Sequence, residues 1–473
     1  MNVVAHTSAG RGKGLRGALS NRQMGMIALG GVIGAGLFVG SGSAIAQAGP
    51  AVLIAYGAVG VVVICVMQML AEMSVAEPNT GSFSAYAHRH LGPWAGLSVG
   101  WLYAYQWCVT IGFEAVAGSA IVHALLPPIP TWLAALVLMF ALIGVNFARV
   151  ESFGTFEYWF AMIKVGAIFA FLFIGLAAII GIFPGSAAPG LDNLTHQGGF
   201  VPNGWGSVLA AALVVFFSFF GTEVVTIAAG EAKDPARSIR RGMRTVLWRI
   251  LLFYVGSMIV VVTLMPWDST EITESPYVAV LHSLHIPFGG LVMNLIVLTA
   301  VFSCLNSGIY TSSRMLFSLA ERGEAPQVLA RTAKNGVPLA AVVTASSIGL
   351  FTIVANYFFP TTSVFQFLLA SSGAVAVLVY LCIIVTHFRF RRTLSRERRN
   401  SLTVKMWLFP YLDVAVLAAT LAVIVGMAFT DSSRNELILT LCVAAVIIAA
   451  GVVRQRRLSK AKNKDKANAE EVV

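Results

Sequence analysis

Charged residues are scarce in this sequence. They make up 11% of its 473 residues, whereas 57% are hydrophobic. Soluble domains carry about 25% charged residues, because their surface must be hydrated. The shortage excludes a soluble globular domain of this size and indicates a polytopic membrane protein.

Cysteine is also rare, and no cysteine has a partner at a disulfide-type or metal-type spacing. The five cysteines all lie in apolar runs: Cys65, Cys108, Cys304, Cys382 and Cys442. We interpret them as packing residues. The sequence also lacks a His/Cys/Asp cluster at metal-ligand spacing, a nucleotide-binding loop and a nucleophile–base pair. We therefore expect no enzymatic activity, no cofactor and no metal.

Long hydrophobic runs are plentiful. A transmembrane helix needs about 20 apolar residues. Twelve such runs begin near Met24, Ala51, Leu97, Trp132, Thr155, Ser207, Val246, Gly290, Pro338, Ser363, Met406 and Glu436. The predicted fold class is an all-α polytopic membrane protein with twelve transmembrane helices. The third, fifth and eighth runs are longer than a bilayer requires, which indicates tilt.

Basic residues collect on one side of these predicted spans. The two termini and the even-numbered connections carry all 32 lysines and arginines except Arg434 and Lys164. Because positive charge stays on the cytoplasmic side, we expect a multi-pass protein of the cell inner (plasma) membrane with both termini cytoplasmic. The net charge of +11 thus mostly reflects the placement of basic residues on the cytoplasmic side. Nucleic acid is not an expected partner. The basic tail either contacts anionic lipid or is solvated.

Two of the runs carry glycine where a helix needs continuity. Residues 30–42 read GGVIGAGLFVGSG, and the sixth run has Gly221 at its middle, followed by Glu223. Each glycine weakens a helix by roughly 0.5–1 kcal/mol relative to alanine. We predict that helices one and six are broken. Breaks at matching places indicate a five-plus-five inverted repeat, followed by two extra C-terminal helices.

Backbone that is unwound inside a membrane must be satisfied by protein, water or a ligand. The N–H groups at Gly34-Ala35-Gly36, where the second half of helix one begins, suit a carboxylate, and the carbonyls that end the half-helices suit an ammonium group. A small zwitterionic amino acid fits both. The alternative is that these glycines only permit close helix packing. The second broken helix favours a binding site.

Several ionisable residues lie within or at the ends of the predicted spans, where charge is costly and usually functional. Lys164 in span five either takes and releases a coupling proton or is a fixed charge between helices, and we favour the first. Glu114 in span three either touches a substrate amine or pairs with a neighbouring helix. Glu223 either relays protons or holds the break in span six. Glu72 and Glu231, at helix ends, are interpreted as structural.

The stretch EAKDPARSIRRGMR after span six is rich in arginine. It either gates a cytoplasmic entrance by pairing with acids such as Glu72 or Glu77, or it reflects the positive-inside rule, which accounts for most of it.

Four stretches together carry a family resemblance: IALGGVIGAGLFVGSGSAIAQAGPAVLIAY, MLAEMSVAEPNTGSFSAYA, VVFFSFFGTEVVTIAAGEAKDPARSI and SCLNSGIYTSSRMLFSLAERGEAP. Over nearly its whole length the chain resembles the amino acid permeases of the amino acid–polyamine–organocation (APC) superfamily. Within it, stretches such as GSFSAYA and WRILLFYVGSMIVVVTLMPW are most similar to bacterial γ-aminobutyrate (GABA) permeases. The resemblance implies the inverted-repeat fold, alternating access and proton symport.

The resemblance also implies a substrate carboxylate at Gly34, Ala35 and Gly36. Some relatives have a serine where Ala35 stands, so that a hydroxyl also serves the carboxylate. Here only backbone groups are available, which leaves the preferred substrate length open.

Further roles follow from the same resemblance. Val32, Phe217 and Phe220 match positions whose carbonyls hold the amine, and Phe217 also matches an aromatic gate. Lys164 matches a lysine that takes the place of a sodium ion in related proton-driven carriers. Tyr310 on span eight is a candidate for lining the pocket.

These observations predict a four-part organisation. A cytoplasmic tail covers residues 1–23, and a transporter core of spans one to ten covers residues 24–387. Residues 388–453 hold a basic loop and the last two spans, and residues 454–473 form a basic cytoplasmic tail.

We expect a secondary active transporter that imports a small amino acid with protons, with γ-aminobutyrate as the favoured substrate. Glu114 and the residues of the two breaks bind the substrate, and Lys164 and Glu223 are the proton-coupling candidates. One alternative is a permease of the same fold for an α-amino acid, and another is a non-transporting membrane sensor. Sodium remains an alternative coupling ion, because Ser and Thr near spans one and eight offer oxygen ligands.

Overall fold

The computed structural model describes residues 20–30, 33–147, 150–183, 188–232, 234–358, 362–429 and 431–470. Within these ranges the regular structure is helical, and no β-strand occurs. The helices up to the second break are α1 (Asn21–Gly30), α2 (Ala35–Phe38), α3 (Gly40–Ala48), α4 (Val52–Ala76), α5 (Ser82–His90), α6 (Pro93–Leu125), α7 (Thr131–Phe147), α8 (Val150–Ile179), α9 (Asp192–Thr195), α10 (Gly204–Phe219) and α11 (Val224–Ala228). The helices that follow are α12 (Pro235–Arg249), α13 (Gly256–Leu264), α14 (Thr270–Glu274), α15 (Pro276–Ser283), α16 (Gly289–Glu321), α17 (Leu339–Phe358), α18 (Thr362–Thr393), α19 (Arg396–Ser401), α20 (Tyr411–Phe429) and α21 (Asp431–Glu470).

Eight segments in the described residues are long and apolar enough to cross a membrane. They are Ala35–Ala76, Pro93–Leu125, Phe153–Ile179, Gly204–Ala228, Gly289–Glu321, Ser372–Thr393, Tyr411–Phe429 and Leu437–Arg456. Shorter apolar helices cover Thr131–Phe147, Leu252–Leu264 and Leu339–Ala355. The prediction of an all-α membrane protein with several spans is therefore confirmed, while the count of twelve spans and the inverted repeat stay predictions.

The third, fifth and eighth runs, which were longer than a bilayer requires, form the long helices α6, α8 and α16. Helices α6 and α16 have 33 residues each and α8 has 30. At about 1.5 Å per residue, each exceeds the hydrocarbon core of about 30 Å. These helices must therefore tilt or extend beyond the membrane core.

The outer surface of the bundle is apolar. Phe173 on α8, Phe351 on α17 and Phe429 on α20 are each more than 70% exposed. In water this exposure would cost about 25 cal/mol per Å², whereas acyl chains accept it. Polar groups lie inside instead, and Lys164 and Glu114 are at most 1% exposed. The distribution is that of a protein solvated by lipid.

Both glycine-bearing segments are interrupted helices in the structure. Helix α1 ends at Gly30, and α2 begins at Ala35 after an extended Gly34 (φ −132°, ψ −153°). Helix α10 ends at Phe219, and α11 begins at Val224. Gly221, between them, has φ +98°, a left-handed conformation that favours glycine.

The two interrupted helices pack crosswise. Helix α10, before the second break, contacts α2 and α3, which follow the first break. Helix α1, before the first break, contacts α11 and α12, which follow the second. This pattern is expected when two antiparallel helices lie side by side and both are interrupted at the same depth in the bundle. The long helices α6 and α16 flank the pair and pack against each other.

Candidate substrate and proton site

The first turn after the first break is bound by an acid from another helix. Both carboxylate oxygens of Glu114, on α6, accept the Ala35 N–H at 3.1 Å. Ala35 and Glu114 are buried, and an N–H at a helix start carries positive potential. Glu114 therefore holds the backbone group that the sequence assigns to the substrate carboxylate.

Gly34 and Gly36 allow close approach at this turn. A Cβ at Gly34 would collide with the Glu114 carboxylate and lie 2.6 Å from Cβ of Cys304 on α16. A Cβ at Gly36 would lie 3.2 Å from the Phe217 ring and from Cα of Ser218. The Ser218 hydroxyl also donates to the Gly36 carbonyl at 2.8 Å. The glycines thus let the turn after the first break touch α6, α16 and α10 at once.

The second break is closed by Glu223. Its carboxylate accepts the Gly221 N–H at 3.0 Å and the Tyr103 hydroxyl at 2.9 Å. All of these groups are buried. The side chain thus satisfies the unwound backbone and ties it to α6, which is the geometry of a residue that holds the break. Its assignment to proton relay stays a prediction.

The two phenylalanines of the break occupy different aromatic surroundings. The Phe217 ring lies 5.1 Å from the Phe113 ring, edge to face. The Phe220 ring lies 5.4 Å from the Tyr103 ring and 5.9 Å from the Trp107 ring. Both phenylalanines are about 95% buried, so they face the interior of the bundle and not lipid.

Lys164 connects the first break to α16. Its Nζ donates to the Ile33 carbonyl at 3.0 Å and to the Ser303 hydroxyl at 2.8 Å. The Ser303 hydroxyl in turn donates to a carboxylate oxygen of Glu157. Lys164, Ser303 and Glu157 are all 0% exposed. A lysine ammonium, a hydroxyl and a carboxylate therefore form one buried chain beside the unwound backbone.

Glu157 is the site residue that the sequence analysis missed. It precedes Lys164 by seven residues on α8, so that the two side chains lie on one helix face two turns apart. The sequence does contain one signal for Glu157, which is an acid seven residues before a lysine buried in the membrane.

Tyr310 belongs to a different cluster. Its hydroxyl donates to Glu231 at 3.0 Å, and its ring stacks on Phe153 with centroids 4.1 Å apart. Arg314 donates to the same Glu231 oxygen at 2.9 Å and lies over the Tyr310 ring. Tyr310 thus helps to hold Glu231, beyond the second break, against α16, and the structural interpretation of Glu231 stays a prediction.

The structure accordingly groups most of the predicted site residues. Gly34, Ala35, Gly36, Glu114 and Phe217 meet at the turn after the first break. Lys164 binds the carbonyl of Ile33, the residue before that turn. Phe220 and Glu223 belong to the second break. Tyr310 lies with Glu231, and Val32 is outside the described residues.

The acids Glu72 and Glu77 have partners other than the arginine-rich stretch after span six. Glu72 pairs with Arg391 at 2.6 Å and with His387 at 3.2 Å, both on α18. Glu77 pairs with Arg89 on α5. Among the described residues these two acids therefore do not pair with the arginine-rich stretch as a gate would require, and Glu72 instead joins α4 to α18.

No group of three or more His, Cys, Asp or Glu side chains suited to a metal occurs in the part of the chain that the structure describes. The chemistry this site offers is that of buried acids, one buried lysine and unwound backbone. Such groups bind the charged ends of a small molecule and exchange protons.

The chain belongs to the amino acid permease family. The family model described as "Amino acid permease" matches residues 23–466, so the resemblance seen in the sequence is confirmed.

Named relatives lie close in sequence. The chain is 50% identical to the "Gamma-aminobutyric acid permease" of Bacillus subtilis (strain 168), over 94% of this chain and 95% of that protein. It is 45% identical to the "Gamma-aminobutyric acid permease" of Escherichia coli (strain K12), over 93% and 95%. In fold it resembles the manganese transporter of Eremococcus coleocola, solved in complex with an aromatic bis-isothiourea substituted compound, with a TM-score of 0.56 at 15% identity over 91% and 92% of the two chains.

Proposed function

We propose that this amino acid permease imports γ-aminobutyrate together with protons by alternating access. The observation that carries the proposal is the first break, where the buried Glu114 carboxylate accepts the Ala35 N–H and the buried Lys164 ammonium binds the carbonyl of Ile33, two residues earlier. The identity to two γ-aminobutyrate permeases supports the substrate.

The substrate's two charged ends require two kinds of partner. Its ammonium group suits the Glu114 carboxylate and the carbonyls that end the half-helices. Its carboxylate suits the N–H groups of the turn at Gly34, Ala35 and Gly36. Because Glu114 holds the Ala35 N–H in this conformation, binding would require Glu114 to turn from the backbone toward the ammonium group. The N–H then becomes available to the carboxylate.

The position and contacts of Lys164 favour protons over sodium as the coupling ion. Its ammonium lies between a carbonyl and a hydroxyl, which are the oxygen ligands that a hard cation takes in proteins. A charged lysine in this position excludes a second cation by repulsion. When the lysine loses its proton, its hold on the Ile33 carbonyl weakens, because a neutral amine is a poorer donor than an ammonium. This change would link the proton gradient to movement at the first break.

The crosswise packing of the two broken helices supports a five-plus-five inverted repeat, in which one repeat rocks against the other. The distribution of basic residues supports cytoplasmic termini in the inner membrane.

The decisive experiment is uptake of labelled γ-aminobutyrate into proteoliposomes. We expect accumulation above the external concentration when the outside is acidic and the lumen alkaline. A sodium gradient at equal pH is expected to give none. Unlabelled γ-aminobutyrate should compete better than α-amino acids of similar size, and the reverse order would assign the protein to an α-amino acid.

Glu114→Gln is expected to weaken substrate binding. The variant keeps the shape of the side chain but loses the charge that attracts the ammonium group, and a hydrogen bond to a charged group contributes about 1.5–3 kcal/mol. That loss corresponds to an increase in KM of about tenfold or more. The measurement is the concentration dependence of exchange at equal pH on both sides. A KM that falls would show that Glu114 competes with the substrate carboxylate and does not bind the amine.

A further inference from the structure

The hydrogen bonds around Ser303 have a defined direction. Serine has one hydroxyl proton, and a carboxylate only accepts. The Ser303 hydroxyl must therefore donate to Glu157 when that acid is ionised, and its lone pairs accept from Lys164 at 2.8 Å. The order from the first break is the Ile33 carbonyl, the Lys164 ammonium, the Ser303 hydroxyl and the Glu157 carboxylate.

This chain joins two opposite charges that are both removed from solvent. Lys164, Ser303 and Glu157 are 0% exposed. A single buried charge is strongly unfavourable, whereas a charge with a hydrogen-bonded counter-charge is tolerated. The charge on Glu157 therefore holds the proton on Lys164, and the two residues do not titrate independently.

The Glu157 carboxylate also has capacity for a proton. Its second oxygen, Oε2, is buried and accepts no hydrogen bond within the described residues. The side chains of Asn306 and Ser307 lie near this carboxylate. Their donor atoms Nδ2 and Oγ likewise have no acceptor in that part of the chain. The free lone pairs of Oε2 are therefore the place where this carboxylate can take a proton.

From this geometry we infer that Glu157 shares the coupling proton with Lys164 through Ser303. When the proton moves, an N–H bond of Lys164 breaks as an O–H bond to Ser303 forms, and the original Ser303 O–H bond breaks as an O–H bond to Glu157 forms. A charged pair becomes a neutral amine and a neutral acid, with no change in net charge. Net release or uptake then occurs from this three-residue unit, and not from the lysine alone.

Other titratable groups also act on the lysine. Glu114 on α6, Cys304 on α16 and Arg249 at the end of α12 lie within electrostatic range of Lys164. Glu157 is joined to the lysine through a single hydroxyl, that of Ser303. The two acids therefore have different roles: Glu157 shares the proton of Lys164, whereas Glu114 holds the Ala35 N–H.

The inference rests on the proposed proton symport, and Glu157→Gln tests it. The amide cannot take the proton and no longer stabilises the ammonium of Lys164. We expect proton-driven accumulation to be lost while exchange at equal pH persists. The pH profile of initial uptake is expected to move to more acidic values by about one unit, because a lysine without its counter-charge loses its proton more readily.

Ser303→Ala provides a second variant that leaves both ionisable residues in place. It removes the bridging hydroxyl, so the same loss of accumulation with retained exchange is expected. Glu157→Asp restores the charge and should recover part of the accumulation. Glu271→Gln, an exposed acid on α14, and Ser347→Ala, whose exposed hydroxyl donates to the Val343 carbonyl within α17, are matched controls that should behave as wild type.

The outcomes distinguish a failure of proton symport from a failure of the role assigned to Glu157. A wild-type protein that exchanges γ-aminobutyrate but does not accumulate it in a proton gradient overturns proton symport, and this inference with it. A proton-driven wild type whose Glu157→Gln variant keeps the same accumulation and pH profile overturns the role of Glu157 alone. Loss of both exchange and accumulation in Glu157→Gln and in Ser303→Ala would assign these residues to structure only, which also overturns it.

Discussion

Lys164→Met is expected to abolish accumulation of γ-aminobutyrate in a proton gradient. Methionine has a similar length but no proton to give and no donor for the Ile33 carbonyl or the Ser303 hydroxyl. The substitution also leaves Glu157 as a buried acid without its cation. Breaking a buried ion pair in this way costs about 3–5 kcal/mol, so a lower thermal stability in detergent is expected together with the loss of transport.

The double variant Lys164→Met/Glu157→Gln separates these two effects. It removes both charges, so thermal stability should recover toward wild type while accumulation stays lost. Lys405→Met, at an exposed lysine, is the matched control for losing one positive charge and should transport normally. Accumulation by the double variant would rule out Lys164 as the proton carrier.

Gly34→Ala is the second change with a large expected effect, and it acts through shape alone. The added methyl group would lie 2.6 Å from Cβ of Cys304, an atom fixed by the backbone of α16, and would also overlap the Glu114 carboxylate. The carboxylate can rotate, but the Cβ of Cys304 cannot. The turn must therefore move, and overpacking of this kind costs about 1–3 kcal/mol. We expect uptake to fall about tenfold or more, because the displaced turn no longer presents the Ala35 N–H.

Gly57→Ala is the control for this prediction. Gly57 lies on α4, and an added Cβ there would have no atom of another described segment within 4 Å, so alanine should keep uptake and slightly favour the helix. A companion variant, Gly34→Ala/Cys304→Gly, reopens the space and should recover part of the uptake. Normal uptake by Gly34→Ala would show that the turn does not need this close approach.

Much of the architecture follows from the sequence because membrane solvation imposes simple rules. Charge scarcity and long apolar runs determine an α-helical membrane protein. Gly34 and Gly221 lie in the two interruptions. Gly221 has the left-handed conformation that favours glycine, and Gly34 and Gly36 have no Cβ that would collide with neighbouring helices. The buried position of Lys164 also follows from the sequence, because no terminus or loop is close enough for its side chain to reach water.

The partners of the buried charges do not follow from the sequence. Glu114 meets Ala35 across 79 positions, and Lys164 meets Ser303 across 139. In a soluble protein, the hydrophobic periodicity of a helix identifies its inward face. In a membrane, lipid and protein interior are both apolar, so periodicity does not show which side faces inward. For this reason the sequence does not show that Tyr310 bonds to Glu231 or that Glu157 is joined to Ser303.

The sequence by itself determined that lipid solvates this protein, that its fold is α-helical, where two of its helices break and to which family it belongs. Only the tertiary structure decided which acid caps the broken helix, which acid shares a hydroxyl with the lysine and which arginine holds Glu231. The physical reason is that composition and local backbone preference act within a few residues. Pairing of charges in a lipid-solvated bundle depends instead on how distant helices rotate and cross.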